Sequence, residues 1–130
     1  MLANPLDAYR NVEKATLSQR ELEASVLSKA AIQLQSVKEN WTRDDHDAQL
    51  EAALDFNQRV WTFFQAELSA EDNQLPEEIK RNILVLSAFV DRRSFEVMAY
   101  PAPEKLEVLI NINMNVAAGL RGEKIATSGR

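Results

Sequence analysis

Residues 50–68 read LEAALDFNQRVWTFFQAEL, and the spacing of their apolar side chains decides the fold. Leu50, Leu54, Asn57, Trp61, Phe64 and Leu68 recur at intervals of three and four, which puts them on one face of an α-helix. Ala53, Phe56, Val60 and Phe63 make a second stripe, displaced around the same cylinder. Two adjoining stripes form an apolar face broader than one neighbouring helix covers. Such a helix either sits between two helices of its own domain or keeps part of the face for a partner. Asp44 and Asp45 favour the positive end of a helix and place its start there; Ser69 marks its end.

Upstream, the spacing predicts a helix from Ser18 to Lys38 with the stripe Leu22, Val26, Leu27, Ala30, Ala31, Leu34 and Val37. Ser18-Gln19-Arg20-Glu21 fits a capping box, in which serine and glutamate satisfy each other's free amides. Leu6, Tyr9 and Val12 also stand at helical spacing, but Thr16 and Ser18 argue against one unbroken helix, leaving a short N-terminal segment, partly ordered or docked. Downstream, Leu75-Pro76-Glu77-Glu78 opens a third helix, with proline at its first position and acids in its first turn. It runs to Ala99, and its stretch Ile83 to Val90 is apolar on every side, which predicts a helix at the middle of a bundle. Flanking Ile79, Phe95, Val97 and Met98 extend that pattern beyond the length of a strand. Tyr100-Pro101-Ala102-Pro103 blocks propagation, and a fourth helix runs from Pro103 to Leu120 with the stripe Leu106, Leu109, Ile110, Asn113, Val116, Ala117 and Leu120, closed by Gly119 or Gly122. The expectation is an all-α, single-domain helical bundle of four main helices over residues 1–120. A flexible C-terminal tail occupies 121–130.

Composition narrows the function. At 130 residues the chain supports one core. It has no cysteine, which removes disulfides, thiolate metal sites and cysteine nucleophiles, and one histidine, His46, which removes mechanisms needing two imidazoles. All three glycines lie in the last twelve residues, so a P-loop, a dinucleotide-binding turn and a G-x-S-x-G elbow are excluded from the first 118. No apolar run is long enough to span a bilayer, and the N-terminus lacks the pattern of a secretory signal; cytoplasmic residence is the expectation. Charge is uneven. Residues 41–78 carry ten acids against two bases, which repels phosphate and argues against direct nucleic-acid binding there.

Few residues bear chemistry. Asp44-Asp45-His46-Asp47 has metal-ligand residue types, but adjacent positions on a helix diverge, and capping explains the cluster without a metal. The acids fall at helix starts or opposite the apolar stripes, where solvated surface accounts for them, so no catalytic site and no cofactor is expected. Asn57 and Asn113 stand out, because each interrupts an apolar stripe and a buried amide left unpaired costs about 1–3 kcal/mol. Either each ties its helix to a neighbour's backbone, or the two meet and set register, or they supply a polar contact in a partner groove.

Three blocks taken together resemble a known family. DFNQRVWTFF at 55–64, DNQLPEEIK at 72–80, and LEVLININ at 106–113 with AGL at 118–120 are similar in order and separation to the flagellar biosynthesis regulator FlaF family. The motif residues are Asn57, Trp61, Leu75, Pro76, Asn113, Gly119 and Leu120, and the Ala8-Tyr9 pair is similar to the family's beginning. The resemblance implies a cytoplasmic helical protein, without catalysis or cofactor, that binds unassembled flagellin and promotes its synthesis or export together with FlbT. Rival readings are a post-transcriptional regulator acting on flagellin mRNA directly or through FlbT, and a self-associating structural adaptor. Phe56, Val60 and Phe63, with Tyr9, are the expected contact residues.

Overall fold

A computed structural model describes the backbone of residues 5–122 and the side chains of residues 19–122. Four α-helices follow in order: α1 (Pro5–Glu39), α2 (His46–Ser69), α3 (Glu77–Ala99) and α4 (Glu107–Leu120), the last preceded by a 3-10 turn over Pro103–Leu106. The described residues contain no strand, and the all-α bundle is the fold.

The core is built around α1. Ala24, Leu27, Ala30, Ala31 and Leu34 are fully buried, and α1 packs against both α2 and α4. Three alanines on that face let the neighbouring axes approach closely, since interaxial distance follows the side chains at the contact. Leu50, Ala53, Leu54, Trp61, Phe64 and Leu68 come in from α2, and Leu109, Ile110 and Ala117 from α4. Lys38 of α1 pairs with Glu107 at the foot of α4, and Gln19 of α1 donates to Glu67 of α2 at 3.2 Å at the other end.

The fourth helix, expected from Pro103, begins at Glu107 after the 3-10 turn, and the expectations for α3 and α1 are corrected as well. α3 is not the central helix: it lies at the side, mainly against α2, and buries only Ile83, Ser87, Val90, Ser94 and Val97. Val85, in the middle of its apolar run, is 65% exposed. The small residues of α1 draw α2 and α4 into the centre and leave α3 outside. The remaining correction concerns α1, which starts at Pro5 and passes through Thr16 and Ser18 as unbroken helix. Serine and threonine weaken a helix interior by only a few tenths of a kcal/mol each, too little to stop a helix of this length. A helical Ser18 cannot be an N-cap, so the capping box does not form.

The connections have local causes. Pro76 is the N-cap of α3 rather than its first helical residue, in extended conformation at φ −57° and ψ 146°. Before it, Asn73 accepts from the Leu75 amide at 3.0 Å and donates to the Glu67 carbonyl at 3.1 Å, which closes the end of α2 and sets the turn. Gly122, at φ +78°, ends α4 in the left-handed conformation, its amide bonded to the Gly119 carbonyl at 3.1 Å. Arg121, placed with the tail by the sequence, bonds back to Glu21 at 3.1 Å and Ser28 at 3.2 Å on α1. Residues 123–130 of the expected tail lie outside the described residues.

Candidate partner-binding groove

The two interrupting asparagines meet. Trp61 Nε1 of α2 donates to Asn113 Oδ1 of α4 at 2.9 Å, and Asn113 Nδ2 donates to Asn57 Oδ1 of α2 at 2.6 Å. All three side chains are fully buried. An indole N–H only donates, so it must face an oxygen, and this sets the orientation of both amides in turn. Asn57 Nδ2, at the end of the chain, has no partner among the described residues. The network cross-links α2 to α4 inside an apolar core and defines one register between them.

With the first stripe of α2 committed to that core, the second is left at the edge. Ala53 and Val60 are buried, Phe56 is half-buried, and Phe63 is 52% exposed. Leu22 and Val26 of α1 face Phe56, Val60 and Phe63, and these five line a groove of about 330 Å³ together with Gln19, Glu23 and Arg59. Leu22 was expected in the buried stripe of α1 but is 65% exposed. Its position beside Phe63 makes the groove's most open wall. Glu23 is almost wholly buried and paired with Arg20 at 2.8 Å, and Lys29 sits over the Phe56 ring at 5.5 Å, so charged groups fence the apolar strip rather than interrupt it.

Phe56, Val60 and Phe63 thus come together in one site, with Val60 as its floor. Tyr9 belongs to α1, but its side chain lies outside the described residues. Leu22 and Val26 went unrecognised as site residues because their spacing is that of an ordinary core stripe; only the position of α2 shows that the stripe is wider than the contact. The motif residues Leu75, Gly119 and Leu120 converge elsewhere, on a groove of about 400 Å³ shared with Ile79, Ile83, Leu86 and Val116 at the α3–α4 side.

Asp45 stands at the N-cap of α2, but its side chain makes no capping bond to the helix amides, so the expected capping role is not taken up and its partners are side chains. Arg43 pairs with Asp45 at 3.2 Å, His46 with Asp47 at 3.0 Å, and Gln49 donates to Asp45 at 3.2 Å. The Gln49 bond, aided by the charge of Arg43, holds the Asp45 carboxyl below its ordinary value. Among the described residues no group of three or more histidines, aspartates or glutamates is arranged to hold a metal, and no helix is long and apolar enough to cross a membrane.

Fold and groove together define a small all-α protein that leaves an apolar strip open between two helices. The family model for flagellar protein FlaF matches residues 5–120, and the chain belongs to the FlaF family of flagellar proteins. The match spans all four helices and the three blocks that carried the resemblance. Comparison with curated proteins and with solved structures returned no significant match.

Proposed function

We propose that this protein binds unassembled flagellin in the groove between α1 and α2 and, in the cytoplasm, promotes flagellin synthesis or export together with FlbT. The observation that carries the reading is the groove itself: Leu22 and Phe63 remain open to solvent beside Val26, Phe56 and Val60, in a continuous apolar strip between two helices of the core. An unassembled filament subunit exposes the amphipathic helices that later build the filament, and such a helix lays its apolar face into a groove of this kind. Flagellar membership of the family supports the setting. The ten acids of residues 41–78, against two bases, disfavour direct contact with mRNA, so an effect on synthesis runs through a protein partner.

Mixing with purified flagellin followed by gel filtration tests the reading. A co-eluting complex is expected, and Leu22→Asp or Phe63→Asp, both at exposed positions, weakens it at least about tenfold while circular dichroism shows an intact fold. Failure of the unaltered protein to form a complex, or a complex indifferent to both variants, rejects it. Loss of a self-dimer in Phe63→Asp would instead favour the self-association reading.

A further inference from the structure

A third groove, of about 460 Å³, runs along the other flank of α2 between α2 and α3. Its origin is the polar seam that joins these helices. Gln58 donates to Asp91 at 2.8 Å, and Gln65 donates to the buried Ser87 hydroxyl and to Asp91 at 3.5 Å. Beside the Gln58–Asp91 bond the two helices leave a gap floored by Leu54 and Ser94, both buried. Its α3 wall is Phe95, 77% exposed, and Met98, 51% exposed. Its α2 wall carries Glu51 and Asp55, four residues apart and therefore one helical turn apart on the same edge. Glu51 forms no ion pair among the described residues. Asp55 pairs with Arg59 at 2.9 Å, but both groups are solvent-exposed and such a pair exchanges at little cost.

We propose that this groove, walled by Phe95 and Met98 and edged by Glu51 and Asp55, docks a helix of a partner protein that carries two basic residues one turn apart beside an apolar stripe. The apolar wall takes apolar side chains, and two carboxylates along the rim favour cations at matching spacing. A second copy of this chain is the poorer occupant when it presents α2, because acidic edge would meet acidic edge. The site lies on a different flank from the flagellin groove and stands without that reading.

The test uses the full chain and a fluorescein-labelled amphipathic peptide of about 18 residues, built of leucine and lysine with lysines four apart beside the leucine stripe. The control peptide has glutamate for lysine. Fluorescence anisotropy is expected to show binding of the lysine peptide and at least about tenfold weaker binding of the glutamate peptide. Phe95→Ser, and Glu51→Lys combined with Asp55→Lys, are each expected to weaken the lysine peptide about tenfold, whereas Phe63→Asp leaves it unchanged. Absence of binding, equal binding of the two peptides, or binding lost in Phe63→Asp but retained in Phe95→Ser overturns the proposal. A dimer of the free protein that Phe95→Ser dissolves, seen by sedimentation, overturns it in favour of a second copy.

Discussion

The buried Trp61–Asn113–Asn57 chain gives its members unequal weight. Asn113 holds two partners at once, so Asn113→Leu strands the Trp61 indole and the Asn57 carbonyl together, whereas Asn57→Leu leaves one unpaired donor on Asn113 and removes the unsatisfied Nδ2. A buried polar group without a partner costs about 1–3 kcal/mol, so urea denaturation should show Asn113→Leu losing about 2–4 kcal/mol and Asn57→Leu roughly half of that. Equal losses would mean that the hydrogen bonds do not carry the stability of this layer. Because the network lies inside the core and away from Leu22 and Phe63, flagellin capture should survive Asn113→Leu in the folded fraction. That two asparagines stood in apolar stripes was legible in the sequence, along with their need for partners. Their meeting was one of the alternatives the sequence left open; that they bond each other directly, with Trp61 donating to Asn113, was decided by α2 and α4 lying side by side.

At the scale of elements, α1 and α3 each depart from what their local pattern implied. A continuous α1 places Ser18 in a helix interior, where proline removes a hydrogen bond and clashes with the preceding turn, at about 3 kcal/mol. Ser18→Pro is therefore expected to destabilise the protein and lower its helical circular dichroism. A helix starting near Ser18 would accept proline there almost without cost. In α3 the fully buried Val90 and the exposed Val85 share one apolar run. Val90→Ala should cost about 2 kcal/mol through the cavity it leaves, and Val85→Gln less than about 0.5 kcal/mol. Comparable costs at both sites would show α3 enclosed on all sides. Periodicity identified both helices, but a run that is apolar all round does not state how many neighbours it has.

Across the whole molecule the helices are attached unequally. α1, α2 and α4 share the apolar core, whereas α3 is joined to α2 by Gln58, Gln65, Ser87 and Asp91 and buries few apolar side chains. Elements with little buried apolar contact open at lower free energy, so amide hydrogen exchange should reveal α3 opening before the other helices; exchange of all four in a single unfolding step would contradict the polar-seam picture. The sequence by itself determined the helical class, the four segments, the buried stripes of α2 and α4, and the demand that two buried amides be satisfied. All of these follow from local spacing and the cost of unpaired polar groups. Only the tertiary structure decided which helix is central, because that depends on how closely α2 and α4 approach the small residues of α1. It also decided which apolar residues stay uncovered, since Leu22, Phe63 and Phe95 have the same spacing as core residues and differ only in what stands opposite them.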